Sequence, residues 1–440
     1  MNANYKYFSW GRVILVSLIV GCTELMWTLY NTYVPIWLQA GNPVFDAGLD
    51  ITTVGFGFGA FVTGIILTFD NIAGLFISPV VGFLSDTTRS RFGRRKPWII
   101  FCAPFAILAF ALLPIFILRI PPELSGQTRQ LTPYLIPFLI AVVAMLLPLA
   151  IMRTPANVIV YDITPSKNRT MANAIASMIG SGTGILAAIV GAILFNINPG
   201  LPFWIGSGLS AIVISLVAVR VTEPVEREEL PPEAQNVRFK DIFKGFLSLP
   251  KEDLRSLAFL YLSIFFSYLA FAQLQSFASS YGVFVLGMDV GSSGMIYATG
   301  GAAFLVAAIP TGFITKKLKR KPATLIGFVI FAIMGLLLYL FPSQALLWPL
   351  VGFGGFFWAF VWVNQDPMVM DSIDNDNVLG ALGGLMSIAR TLGYIAGPII
   401  GGFVVEKLGN NYSNIWLVLM VGCILGALAL LPTTKGEVRQ

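Results

Sequence analysis

Histidine is absent from all 440 residues, and cysteine occurs three times. Without histidine there is no imidazole-ligated metal site, no Ser-His-Asp triad and no histidine proton relay. Cys22, Cys102 and Cys423 match no metal-ligand spacing and lie in apolar runs, which makes them packing residues. The chain also lacks a phosphate-binding loop, so an enzyme would have none of its usual machinery. It carries no sizeable soluble domain, the signature expected of a membrane receptor or scaffold. The first apolar run is too long for a signal peptide, contains Glu24 and has no small-residue cleavage site, so it is expected to stay in the mature protein. Charge is the other scarcity, with 11% of residues ionisable as Asp, Glu, Lys or Arg.

What fills the chain is apolar sequence, 56% of it, which is the composition of a membrane protein. Twelve runs are long enough, as helices, to cross about 30 Å of hydrocarbon. They span 11–38, 55–85, 97–119, 132–161, 168–195, 201–221, 254–286, 291–315, 322–341, 345–371, 377–406 and 412–432. With the N-terminus inside, 23 of the 28 basic residues fall in inner segments, and Arg119, Arg129 and Lys407 alone fall outside. The positive-inside rule then sets both termini in the cytoplasm of a cell whose inner membrane holds the protein. The net charge of +6 is therefore topological, and no nucleic-acid partner is expected.

The polar stretch VTEPVEREELPPEAQNVRFKDIFKGF divides the spans six and six, giving bundles over 1–221 and 253–440 with a cytoplasmic linker over 222–252. The halves look related. Val160, Asp162 and Asn168 match Val369, Asp371 and Asn377 at a constant offset of 209, and the basic loops GFLSDTTRSRFGRRKP and GFITKKLKRKP correspond. In the first loop Gly93 suits a turn and Pro97 the first turn of a helix. Two parallel six-helix repeats describe one transporter architecture.

This pattern resembles the major facilitator superfamily. Pro79, Gly82, Ser85, Asp86, Arg91, Phe92, Gly93, Arg94, Arg95 and Pro97 make the first loop similar to that of the sucrose transporters and the glycoside-pentoside-hexuronide:cation symporters. The resemblance implies an all-α membrane protein, with twelve transmembrane helices in two pseudo-symmetric six-helix bundles, the major facilitator fold. It implies a network of Asp86, Arg91, Arg94 and Asp162 that closes the cytoplasmic side, with Asp371 in the matching place of the second half. The competing account of these arginines is that they only enforce topology.

In such a fold spans 1, 4, 7 and 10 line a cavity, and spans 2 and 11 face each other. Charges in mid-span cost roughly 3 kcal/mol or more unless paired or wet. Glu24 and Asp70 each lie about 20 Å along their helices at 1.5 Å per residue. Arg390 reaches a similar depth, and Arg153 and Asp366 sit nearer the cytoplasm. Asp70 and Arg390 are candidates for an ion pair between the halves, either one that moves and couples occupancy to conformation or a static one, and Asp70 joins Glu24 as a candidate coupling carboxylate. Glu24 has no obvious cation in the sequence and is the candidate for carrying a proton or ligating Na+, the alternative being a hydrogen bond within the bundle or to solute.

The chain departs from its relatives in helix 4, where the expected cation-linked Asp falls on Leu146 or Leu149, and in helix 2, where Ser78 and Gly74 stand. The helix 4 Arg of the sucrose transporters falls on Asn157. Solute-binding candidates are Trp27, Tyr30 and Asn31; Arg153 and Asn157; Tyr268, Gln273, Gln275 and Ser276; and Trp362, Asn364, Gln365 and Asp366, since sugar sites join aromatic faces to amides and hydroxyls. The expectation is a monomeric, cation-coupled symporter for a small polar solute, a sugar or glycoside. It would need the bilayer and the solute as partners and no cofactor beyond a coupled H+ or Na+. An uncoupled facilitator, or an exporter of drugs or lysolipids, is the alternative.

Overall fold

The protein is described from a computed structural model. It describes residues 8–46, 53–88, 90–165, 168–223, 250–373 and 379–437, so that most of the linker expected at 222–252 lies outside the described residues. Among the described residues all regular structure is helical. The membrane helices are α1 (Trp10–Gln39), α2 in two pieces (Ala60–Leu67 and Phe69–Thr87), α3 (Lys96–Leu118), α4 (Thr132–Asp162), α5 (Arg169–Ile197) and α6 (Leu201–Arg220). They continue as α7 (Lys251–Phe284), α8 in two pieces (Val290–Ser293 and Met295–Leu318), α9 (Arg320–Leu340), α10 (Gln344–Met370), α11 (Leu379–Lys407) and α12 (Asn414–Leu430). Eleven are long and apolar enough to cross a membrane by length and composition, and α12 is a shorter apolar helix.

Two spans differ from the sequence reading. Span 2 was expected as one helix from residue 55. Instead residues 56–58 form irregular chain held against the end of α1, Phe56 and Phe58 donating their backbone N–H groups to Trp37 and Leu38 carbonyls. Gly57 makes this possible with φ of +72°, a conformation that suits glycine. The helix then breaks again at Thr68, whose hydroxyl donates to the Ile65 carbonyl. Span 8 breaks at Gly294, after a turn that Asp289 caps by accepting the Ser292 N–H at 2.8 Å.

The chain forms two compact units. The first comprises Met1–Gly59, Phe69–Glu228 and Gly282–Ala298. In it α1 packs along α5 and against α4 and α6, while α3 lies on α4 and α6. A ladder of rings fills one end, Tyr33 stacking on Phe195 at 4.2 Å and Trp37 on Phe203 at 4.9 Å. Gly21 is what admits α5, since a Cβ there would lie 2.8 Å from the Thr183 hydroxyl. The short turn Val290–Ser293 also packs on α5, where Asn196 donates to Asp289 at 2.7 Å.

The second unit comprises Ala60–Thr68, Glu229–Tyr281 and Thr299–Gln440. Here α9 packs on α10 and α12, and α11 packs on the first piece of α2. That last contact is backbone-close: a Cβ on Gly64 would lie 2.3 Å from the Pro398 carbonyl. Glu406 caps the incoming piece by accepting the Phe61 N–H at 2.9 Å. Trp358 centres the core, ringed by Phe271, Phe331 and Trp362. The three cysteines are buried and free, as packing residues are.

Candidate functional site

Among the described residues four clusters gather most of the paired charges, two in mid-span and two at helix ends. In the first unit, Glu24 and Trp27 lie one turn apart on α1, Asp70 opens the second piece of α2, and Arg153 comes from α4. Arg153 Nη2 stands 3.6 Å from Glu24 Oε1, and its guanidinium lies over the Trp27 ring at 5.9 Å. The indole Nε1 of Trp27 donates to Asp70 Oδ2 at 3.0 Å, and Asn71 Nδ2 donates to Oδ1 at 2.9 Å. Glu24, expected from the sequence to lack a cation, thus has Arg153, because α1 and α4 pack together. Two carboxylates face one arginine.

The second unit has a neutral counterpart. Arg390 Nη2 on α11 is bonded to Asp366 on α10, and its guanidinium covers Tyr268 at 5.4 Å. Tyr268 stacks on Trp362 at 4.9 Å and 13°, with Tyr394 edge-on. The sequence suggested Arg390 for Asp70. The structure gives each a partner in its own unit instead, since α10 and α11 are packed neighbours and α1 brings Trp27 to Asp70.

Several expected solute-contact side chains have one polar atom engaged within the protein, while Gln273 Oε1, Gln365 Nε2 and the Tyr30 hydroxyl have no partner among the described residues. Asn31 donates to the Trp27 carbonyl and Asn364 to that of Phe360, each within its helix. Gln273 donates across to the Ile415 carbonyl, and Gln365 accepts the Ser267 hydroxyl. Tyr30, Gln275 and Ser276 are buried. Trp27, Arg153, Asn157, Tyr268, Trp362 and Asp366 keep exposed surface, so the accessible candidates are aromatic or charged apart from the Asn157 amide.

At the helix ends the two units repeat one arrangement. Asp162, the last residue of α4, accepts Arg94 Nε at 3.1 Å and Nη2 at 2.5 Å, and also Arg95 Nε at 3.3 Å. Arg95 reaches Ser85 as well, at 2.5 Å. Beneath them buried Glu223 accepts the backbone N–H of Arg95 at 2.9 Å and of Lys96 at 3.0 Å, at the start of α3, where the helix dipole favours an anion. Burial pushes the Glu223 carboxyl above the ordinary carboxylate range, against the pull of those N–H bonds. Lys96 Nζ returns to the Val221 carbonyl at 2.8 Å.

In the second unit Arg320 Nη1 meets Asp371 at 2.6 Å. Glu437 accepts the N–H groups of Arg320 at 2.8 Å and Lys321 at 2.9 Å, and Lys321 Nζ returns to the Leu431 and Thr433 carbonyls, both at 2.7 Å.

Of the expected gate residues, Arg94, Asp162 and Asp371 are therefore in ion pairs, while Arg91 stacks on Phe92 at 4.7 Å. The side chain of Asp86 lies outside the described residues. Arg95, Lys96, Glu223, Arg320 and Glu437 were not singled out from sequence as gate residues. Their signal was there, as the sequences RRKP and KRKP and a glutamate soon after the last span of each half.

A twelve-helix membrane protein with paired basic clamps and mid-span charges is built as a solute carrier. The sequence profile of the Major Facilitator Superfamily matches residues 16–383, and the chain belongs to that family of transporters. No curated protein matches its sequence. Solved structures show the fold. A bacterial homologue of the human lysosomal transporter Spinster, inward-facing and unoccupied, is similar at 15% identity and TM-score 0.68, covering 98% of this chain and 95% of its own. The nucleoside transporter NupG, as its D323A mutant, is similar at 17% identity and TM-score 0.68, covering 96% and 100%. A D-xylose-proton symporter is similar at 14% identity and TM-score 0.65, covering 96% of both chains.

Proposed function

We propose that the protein is a secondary active transporter that moves a small polar solute, a sugar or glycoside, by alternating access coupled to a cation. The observation that carries this reading is the charge count of the mid-span cluster in the first unit. Glu24 and Asp70 are two carboxylates, and Arg153 is the one cation beside them among the described residues. An unbalanced charge in the hydrocarbon layer is costly, so the cluster gains by taking up one positive charge from water. Binding and release of that charge on alternate sides would then drive uphill movement.

The solute class is supported by the Tyr268–Trp362 stack beside Arg390 and Asp366, an aromatic face next to a charged pair. The resemblance to glycoside symporters and the fold shared with a D-xylose-proton symporter favour the same class. Both termini would lie in the cytoplasm, with the clamps at Asp162 and Asp371 on that side.

Reconstituted protein should accumulate one of a panel of sugars (sucrose, melibiose, xylose, a β-glucoside) when a proton or sodium gradient is imposed. The double variant Glu24→Gln/Asp70→Asn should lose uphill uptake and keep exchange. Equal accumulation with and without gradients, or by the double variant, overturns the coupled reading. The uncoupled-facilitator reading draws on Leu146 and Leu149, apolar and buried where related symporters carry a charged residue. It predicts equilibration of solute that no gradient alters.

A further inference from the structure

Glu24 and Asp70 are held differently. Glu24 has Arg153 at 3.6 Å, a charge partner lying beyond hydrogen-bond reach. Asp70 has no Lys or Arg nitrogen within 4.0 Å among the described residues, so the unbalanced negative charge of the cluster resides on it. Its two oxygens are met by donors alone, Trp27 Nε1 on Oδ2 at 3.0 Å and Asn71 Nδ2 on Oδ1 at 2.9 Å. A sodium ion would need several oxygen ligands in place of these N–H groups, whereas a proton needs one free lone pair on the carboxylate itself.

We propose that the coupling ion is a single proton, taken by Asp70, and that Trp27 is the positioning residue that holds this carboxylate between α1 and α2 and registers its charge. Glu24 then serves to occupy Arg153. Glu24 holds the nearer contact to Arg153, which reaches Asp70 only from beyond 4.0 Å, and Asp70 stays free to gain and lose its proton. The indole bond is strong to a carboxylate and weak to a carboxylic acid. Protonation therefore loosens the tie between α1 and the second piece of α2, at the side chain whose edge bonds Asp70 and whose ring lies under Arg153.

Among the described residues of the first unit, no further Lys, Arg, Asp or Glu pairs with this cluster, and the buried Tyr30 phenol on α1 is the other titratable group within electrostatic reach of Asp70. α5 carries none between Met171 and Ile197, and α6 has Arg220 at its end alone. The Val290–Ser293 turn brings Asp289, which Asn196 and the Ser292 N–H already engage.

The proposal rests on the coupled-carrier reading for its purpose, yet its test needs no solute. The chain has nine tryptophans, so the emission of Trp27 is isolated as the difference between wild type and Trp27→Phe. This difference is followed in purified protein from about pH 4 to about pH 9, which brackets carboxyl titration. One transition is expected. It should vanish in Asp70→Asn against Asp70→Asn/Trp27→Phe, and survive in Glu24→Gln. In Glu24→Gln its midpoint should fall by about one pH unit, a tenfold loss of proton affinity, because Arg153 is released to Asp70. Sodium chloride replacing choline chloride at equal ionic strength should leave the midpoint in place.

A transition that persists in Asp70→Asn, disappears in Glu24→Gln, or moves with sodium overturns the proposal, and so does a flat titration in wild type. A monodisperse elution profile for each variant separates these outcomes from misfolding. Failure of the sugar panel would sink the symporter reading and leave this titration untouched.

Discussion

The mid-span charges act singly, through what each side chain touches. Arg390 and Asp366 neutralise each other beside Tyr268, so removing one charge strands the other in a low-dielectric setting. Arg390→Asp or Asp366→Arg alone should reduce transport at least tenfold, and the double exchange should recover part of it. Uptake in proteoliposomes decides this, and strictly additive losses would reject the pair as a unit. Tyr268 adds a second demand, since Tyr268→Leu keeps the pair but removes the face under the guanidinium, worth about 0.5–2 kcal/mol. The residue types were legible in the sequence because a charge inside an apolar run is conspicuous. Their partners were not, since Glu24 and Arg153 are 129 positions apart and meet only when α1 and α4 pack.

Among the elements, the helix starts at α3 and α9 are bonded alike. In each, a glutamate that follows the last helix of its half caps the exposed N–H groups, and the adjoining arginine pairs with the aspartate at the end of α4 or α10. Glu223→Ala and Glu437→Ala should each cost about 1.5–3 kcal/mol, the worth of hydrogen bonds to a charged group. Thermal unfolding in detergent measures this, and an unchanged midpoint in both would mean that the clamps contribute nothing. Gly93→Ala should destabilise on separate grounds. Its φ is +103°, and a Cβ there would lie 2.3 Å from Glu223 Oε2.

The tie between α5 and the Val290–Ser293 turn should be sensitive to acid. Burial works to raise the Asp289 carboxyl, but bonds from Ser292 and Asn196 outweigh it and hold the group below its ordinary value. A depressed carboxyl contributes stability above its unfolded value of about 3.9, and that stability is lost as pH falls through the folded value. Amide exchange at Gly291 and Ser292 should accelerate on acidification below that range, relative to Asp289→Asn. The same pH dependence in both proteins would rule out this role.

At the scale of the whole molecule, the chain's two compact units do not coincide with its two sequence repeats. The piece Ala60–Thr68 packs in the second unit and Gly282–Ala298 in the first. Within the units these exchanges are secured by glycine-to-backbone approaches at Gly64 and Gly291 and by the Glu406 and Asn196 bonds. Bulk at those glycines should trap or abolish the exchanged packing. Gly64→Leu is expected to lower uptake far more than Gly312→Leu, whose Cβ position is open. Equal activity of the two variants would show that the close approach is dispensable.

The twelve-helix membrane fold was legible in the sequence. Crossing hydrocarbon requires long apolar helices, and that requirement is written in composition run by run. The breaks at Thr68 and Gly294 were not, because the short pieces they set off pack on α11 and α5, segments far away in the sequence. Nor was the count of two carboxylates to one arginine, which exists only where three helices converge. Hydropathy is a property of each segment, and so the sequence alone determined how many spans there are. Partnership is a property of distance between segments, and so the tertiary packing alone decided that Asp70 meets an indole, that Glu24 meets Arg153, and which charge is left over.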